Sequence, residues 1–146
     1  MAMAAIEEAR MVLPGIQALF GFQLIAAFNQ RFQELAESDQ IVHFVALLLV
    51  CLSIAIIMTP AAYHRLVECG SMSDFFVRLV SSLIAIAMLP LMIALCLEVY
   101  LLGRVILHQQ GLSIAVAGLL LIVFASLWFV FPFAMRLIRE RHGDDA

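Results

Sequence analysis

The chain has 146 residues, of which 65% are hydrophobic and 13% are charged, and its formal net charge is −3. Ordinary soluble domains are about 45–50% apolar and about 25% charged, so this composition argues against a soluble globular protein and against a disordered chain. A negative net charge without a basic stripe argues against nucleic acid as a partner. The composition therefore predicts an integral membrane protein whose apolar side chains contact lipid.

Four apolar stretches are long enough to cross a bilayer, which takes roughly 20 residues of helix. They cover about residues 11–32, 41–62, 75–107 and 112–135. Continuously apolar runs such as LLLVCLSIAIIM lack the alternation of a membrane β-barrel, the only other spanning structure. We expect an all-α fold, a four-helix transmembrane bundle that forms one membrane domain over residues 1–146.

The arginines predict the orientation of the bundle. Two of them, Arg31 and Arg104, lie on one side of the predicted spans. The other six lie on the opposite side, at Arg10, Arg65, Arg78, Arg136, Arg139 and Arg141. Because arginine and lysine accumulate on the cytoplasmic side, we expect both termini to be cytoplasmic and the protein to be multi-pass in a bacterial inner (plasma) membrane.

The first predicted span carries polar residues at helical spacing. One face follows a repeat of three and four residues through Ile16, Phe20, Gln23, Ala27, Gln30, Glu34 and Glu37. A mid-membrane amide followed by two carboxylates is typical of a pore-lining helix with an acidic outer mouth that attracts cations. The alternative is that Gln23 forms hydrogen bonds that hold packed helices together.

The third predicted span contains one carboxylate, Glu98, well inside an apolar run. Ionisable groups inside a membrane are costly, so each needs a partner or a function. Glu98 is a candidate ion or proton site. The alternative is a structural pair with Arg31, Arg104 or His43, which lie towards the same side.

His43 opens the second predicted span on the outer side. With Arg31 and Arg104 it is a candidate for an outer polar cluster, and Glu34, Glu37 and Glu98 are candidate members that would let it titrate near neutral pH. The alternative is a solvated histidine at a helix end.

Sequence motifs for catalysis are absent. The chain has no Gly-rich phosphate loop, no HExxH, no GxSxG and no CxxC, which are the patterns that would indicate nucleotide, metal or nucleophilic chemistry. We expect no enzyme activity, no cofactor and no metal site.

Two resemblances add to these expectations. The segment EARMVLPGIQALFGFQLIAAFNQRF, followed by His43 and TPAAYHRL, resembles a family of small bacterial four-span membrane proteins of unknown function, over roughly residues 8–66. That resemblance implies location and architecture but no chemistry. The segment CLEVYLLGRV around Glu98 is similar to the third span of Orai-type calcium channel subunits. It implies Glu34 or Glu37 as filter residues, Gln23 in the pore and Glu98 as a regulatory carboxylate behind it.

The leading hypothesis is a small homo-oligomeric cation channel with the first span near the pore, because a chain of this size has too few helices to enclose a wide pathway alone. The alternative is a non-conducting membrane scaffold or accessory subunit. A membrane enzyme with a lipid or quinone near Glu98 is a third option. The expected partners are copies of the chain itself, membrane lipid and cations.

Overall fold

A computed structural model describes the backbone of residues 2–66 and 74–143, and within these ranges the side chains of residues 11, 13–30, 32–66 and 76–139. In the described ranges the chain is helical apart from short connections, and it contains no strand. The helices are α1 (Ala2–Ala27), α2 (Gln30–Gln33), α3 (Glu37–Leu66), α4 (Asp74–Leu107), α5 (Gln110–Ala125) and α6 (Phe131–Gly143). A π-helical turn, Ser126–Val130, joins α5 to α6. The all-α prediction is confirmed.

Helix α1 ends at Ala27, five residues before the predicted end of the first span. Its last turn tightens, since the amide of Asn29 donates to the carbonyl of Ala26 at 3.1 Å. Asparagine favours caps and turns because its side chain competes for backbone hydrogen bonds. The polar segment that begins at Asn29 therefore forms the separate short helix α2 instead of continuing α1.

Helix α3 begins at Glu37, four residues before the predicted second span. Its first turn contains Glu37 and Asp39, and its last turn contains His64 and Arg65. Acidic residues at the N-terminus and basic residues at the C-terminus stabilise a helix because they interact favourably with its dipole. The connection from α2 is held by Gln40, whose Nε2 donates to the carbonyl of Leu35 at 3.1 Å.

Helix α4 is 34 residues long, which corresponds to about 51 Å at 1.5 Å per residue. It ends at Leu107 and is followed by His108, whose φ of 53° is left-handed. A left-handed residue after a helix is a common way to end it. The chain turns at this residue, and α5 begins two residues later, at Gln110.

Helices α1, α3 and α4 pack around an apolar core. The buried core residues are Ile16, Val50, Ile57, Ala87 and Ala94. Tyr63 and Phe76 pack at the end of the bundle where α3 finishes and α4 begins, with ring centroids 6.2 Å apart. We call this the far end, and the opposite end, where α1 and α4 finish, the polar end.

Helix α5 contacts the bundle chiefly through α4. Its single buried residue in the described range is Ser113, close to its first turn. Beyond Ser113 the helix leaves most of its apolar side chains exposed, including Leu119 and Ile122.

Three helical segments are long and apolar enough to cross a membrane: Glu37–Leu66, Phe76–Leu107 and Gln110–Arg139. The apolar part of α1 within the described side chains, Leu13–Ala27, is shorter than these. A membrane protein is therefore supported by three long apolar helices, and the crossing of the bilayer by α1 remains a prediction.

Candidate functional site: a polar cluster between α1, α3 and α4

Polar side chains from three helices meet near the polar end of the bundle. Gln23 lies in the last part of α1, His43 in the first part of α3, and Glu98 in the last part of α4. Antiparallel packing of consecutive helices brings these three stretches to the same level. We call these residues the Gln23–His43–Glu98 cluster.

Gln23 and Glu98 are joined directly by a hydrogen bond. Nε2 of Gln23 donates to Oε1 of Glu98 at 2.9 Å, and Gln23 is 4% exposed. The amide therefore points into the bundle of its own chain. This placement corresponds to the helix-packing role for Gln23, here between helices of a single chain.

His43 contacts both partners at once. Its Nδ1 lies 3.0 Å from Oε1 of Glu98, and its Nε2 lies 3.1 Å from the backbone oxygen of Gln23. The ring of Phe32, in α2, packs edge-on against the imidazole with centroids 4.9 Å apart. His43 is thus a buried side chain with both ring nitrogens engaged, and not a solvated helix-end residue.

One acceptor in the cluster has no donor. Oε1 of Gln23 is buried and has no hydrogen-bond partner among the described residues. Buried polar atoms in proteins are almost always paired, so an unpaired oxygen of this kind marks a place short of donors. The cluster therefore contains more accepting than donating groups.

A second polar group lies next to the cluster, nearer the end of the bundle. Oδ2 of Asp39 lies 3.3 Å from a guanidinium nitrogen of Arg104, and the Asp39 side chain is 8% exposed. Arg104 also donates to the hydroxyl of Tyr100 at 3.4 Å. Arg104 and His43 are two of the three candidate partners of Glu98, and Arg104 is thus placed with Asp39, whereas His43 is placed with Glu98.

The remaining candidates from the sequence lie apart from the cluster. Gln30, Glu34 and Glu37 are exposed. The break at Phe28 and Asn29 interrupts the helical repeat that connected them to Gln23. The side chain of Arg31 lies outside the described residues.

Sequence reasoning placed Asp39 in the acidic outer loop but singled out neither Asp39 nor Tyr100 as a site residue. Both positions carry a usable signal, because Asp39 precedes His43 by four residues and Tyr100 precedes Arg104 by four. Residues four apart lie on the same face of a helix. The pairing of Asp39 in α3 with Arg104 in α4 could not be read from spacing within one helix.

Among the described residues, no group of three or more His, Cys, Asp or Glu side chains is placed to hold a metal ion. Towards the far end, the interior next to the cluster is apolar, with Val50 and Ala94 among the core residues. Ser53 lies among them, and its Oγ donates to the carbonyl of Leu49 at 2.9 Å. The arrangement can hold a proton and join helices, and between the cluster and the far end the described core is apolar apart from Ser53.

Comparison with known proteins gives one match. The model of a family of unknown function, DUF6328, matches residues 3–132, which is most of the chain. No curated protein matches the chain, and no solved structure does.

Proposed function

The chain belongs to the DUF6328 family of unknown function, and we propose that it is a non-conducting integral membrane protein, a scaffold or accessory subunit that assembles with copies of itself. The observation that carries this proposal is the hydrogen bond between Gln23 and Glu98 inside one chain. The amide nitrogen of Gln23 and the carboxyl group of Glu98 are bonded to each other inside one chain, which argues against a role for them in lining a pore between subunits.

The interior of the bundle also supports a closed structure. From the Gln23–His43–Glu98 cluster towards the far end, the buried core consists of apolar side chains such as Val50 and Ala87. Ser53 is fully buried there, and its hydroxyl is bonded to the backbone of its own helix. Among the side chains that the structure describes, an ion would find no series of polar partners along this route, and an unsolvated charge in an apolar interior is strongly disfavoured.

Assembly with a second copy is supported by the outward face of α1. Gln17 is exposed on this face, although it lies within the apolar part of the helix. An amide carries both donors and acceptors, so two symmetry-related Gln17 side chains can satisfy each other, and such bonds join helices in membranes. Gly15 has open space above its Cα and Ala18 is exposed, which lets a second helix approach closely.

The proposal includes a location and a set of partners. We place the protein as a multi-pass protein of a bacterial inner membrane with both termini cytoplasmic, on the arginine distribution. Its partners are copies of itself and lipid, with no nucleic acid, and it is assigned no enzymatic activity.

A second candidate function, a cation channel, is favoured by one observation. The carboxylates of Glu34 and Glu37 and the amide of Gln30 are all exposed near the polar end. In an oligomer with α1 near its axis they would form an acidic mouth that attracts cations. The pore would then be lined by the outward face of α1, which carries Gln17, and not by Gln23.

Ion flux across liposomes separates the two functions. We would compare the wild type with Glu34→Gln/Glu37→Gln and with Gln23→Leu at matched incorporation, with empty liposomes as the baseline. The scaffold proposal expects baseline flux for every cation tested while the oligomers remain intact. Cation flux that the double carboxylate variant abolishes or makes unselective would overturn it in favour of the channel.

The assembly is tested by the same substitution at two positions of α1. Gln17→Leu should shift the protein towards monomers in cross-linking or native mass spectrometry, while its thermal stability as a monomer stays near that of the wild type. Gln23→Leu should leave the oligomer intact and lower the thermal stability, because the Gln23 amide bonds within its own chain. An oligomer that is indifferent to Gln17→Leu would contradict a symmetric contact through this face.

A further inference from the structure

The proton positions in the Gln23–His43–Glu98 cluster follow from its geometry. Nε2 of His43 lies 3.1 Å from the backbone oxygen of Gln23. A carbonyl oxygen can only accept a hydrogen bond, so Nε2 must carry a hydrogen. This contact selects the tautomer of the imidazole and leaves Nδ1 to face the carboxyl group.

The contact between Nδ1 of His43 and Oε1 of Glu98, at 3.0 Å, then requires one more proton. A bare Nδ1 and an ionised carboxylate oxygen are both acceptors, and two acceptors do not attract each other at this distance. The proton is either on Nδ1, which gives an imidazolium and a carboxylate, or on Glu98, which gives two neutral groups. Both arrangements have a net charge of zero, which suits a site between apolar helices.

We propose that His43 and Glu98 form a proton-binding site, and that the bound proton holds α1 against the pair α3 and α4. This inference goes beyond a scaffold role and does not depend on whether the protein conducts ions. When the proton leaves to solvent, Nδ1 keeps a lone pair that faces the negative carboxylate. The cluster then holds one unbalanced negative charge.

The surplus of acceptors in the cluster strengthens its need for the proton. Nε2 of Gln23 already donates to Oε1 of Glu98, while Oε1 of Gln23 has no donor among the described residues. Loss of the shared proton would leave still fewer donors. Because an unpaired buried acceptor carries the full cost of its desolvation, the empty site is destabilised by more than one hydrogen bond.

The other charged groups near the site are already paired, so the proton between His43 and Glu98 is the one that can be lost. From α3, Asp39 lies four residues before His43, and from α4, Arg104 and Tyr100 follow Glu98. Asp39 and Arg104 pair with each other at 3.3 Å, and Arg104 also bonds to Tyr100. From the α1 side, Gln23 is uncharged, as is Phe32 from α2 and Ser113 from α5.

The direction of the pH effect follows from proton linkage. As the pH rises and the site empties, one unbalanced negative charge is left between apolar helices, so the folded bundle loses stability. The proton links α3 to α4 directly, and it links α1 through the two contacts that Gln23 makes with His43 and Glu98. Alkaline pH should therefore loosen α1 from the bundle.

The first test measures the thermal midpoint of the protein in nanodiscs from acidic to alkaline pH. We expect the Tm of the wild type to fall with rising pH by an amount on the order of 5 °C. Glu98→Gln replaces the carboxyl with an amide that keeps its hydrogens. With the Gln23 amide rotated by 180°, the new nitrogen can donate to both Nδ1 of His43 and Oε1 of Gln23, so the Tm should hardly change with pH. The matched control Glu37→Gln removes an exposed carboxylate and should follow the wild-type curve.

The proposal is overturned if the wild-type Tm does not fall with pH, or if Glu98→Gln falls in parallel with it. Should Glu98→Gln not fold, His43→Gln provides a second comparison, since its amide can donate a hydrogen bond to ionised Glu98 without a bound proton and should flatten the pH dependence of the Tm. Nitrogen NMR of ¹⁵N-histidine-labelled wild type, with His43→Gln to assign the signals, tests the tautomer. A protonated Nε2 on His43 is expected, and a bare Nε2 would contradict the site.

Discussion

Gly103 of α4 and Ser113 of α5 lie in direct contact where the two helices cross. A Cβ atom placed on Gly103 would lie 3.0 Å from Oγ and 3.1 Å from Cβ of Ser113. Ser113 is fully buried, and its hydroxyl donates to the carbonyl of Gln109 at 2.8 Å. The side chain is therefore held in place by its own helix, and the close approach of α5 depends on the missing side chain at Gly103.

Gly103→Ala should destabilise the crossing of α4 and α5. Extra atoms in a packed interface usually cost about 1–3 kcal/mol, while alanine gains roughly 1 kcal/mol over glycine in a helix. We expect a net loss of up to about 2 kcal/mol, measured as a lower midpoint in a denaturation series in mixed micelles.

The control for this substitution is Gly118→Ala in α5, where a Cβ meets nothing within 4 Å. This variant should keep the gain in helix propensity and be at least as stable as the wild type. Adding Ser113→Gly to Gly103→Ala should recover part of the lost stability. Equal effects of the two alanine substitutions would show that α4 and α5 do not cross at Gly103.

Asp39→Asn should destabilise the polar end. The carboxylate of Asp39 is nearly buried, at 8% exposure, and faces Arg104, which is 31% exposed. Removing one partner of a buried ion pair leaves the other charge uncompensated, but partial exposure of the guanidinium reduces the effect. We expect a loss of about 1–2 kcal/mol from thermal or chemical denaturation. Glu37→Gln, in the same turn of α3 but exposed, should change stability by less than about 0.5 kcal/mol.

Gln40→Ala should loosen the connection between α2 and α3. Nε2 of Gln40 donates to the carbonyl of Leu35 at 3.1 Å and lies 3.4 Å from that of Phe32. Losing these bonds should cost roughly 0.5–1.5 kcal/mol. Hydrogen exchange of the amides in residues 32–40 should become faster, whereas Gln30→Ala, at an exposed position, should leave exchange there unchanged.

The sequence predicted the individual helices well where apolar runs are long. Helix α4 occupies Asp74–Leu107, next to the expected 75–107, because a long, mostly apolar run bounded by polar segments limits where a helix can stop. The first helix was less predictable. The residues after Ala27 continue a helical repeat of polar positions, but the break at Phe28 and Asn29 ends α1 there, and local hydrogen bonding outweighed the repeat.

The candidate site was also predictable only in part. The sequence singled out Gln23, His43 and Glu98 because polar groups in apolar helices need partners. It could not assign the partners, since spacing along one helix carries no distance to another helix. Asp39 was not singled out as a site residue for this reason, and Glu98 had three possible partners until the helices were packed.

Composition and hydropathy by themselves predicted an all-helical chain with helices long and apolar enough to cross a membrane, because helices satisfy their own backbone groups within long apolar segments. The tertiary structure alone decided that Gln23 faces inward, that Glu98 pairs with His43, and that Arg104 pairs with Asp39. The physical reason is that a buried polar group must have a partner, but its burial does not determine which partner it has. Which partner it finds depends on how antiparallel helices align, and α1, α3 and α4 are held together by the packing of core residues such as Ile16, Val50 and Ala94.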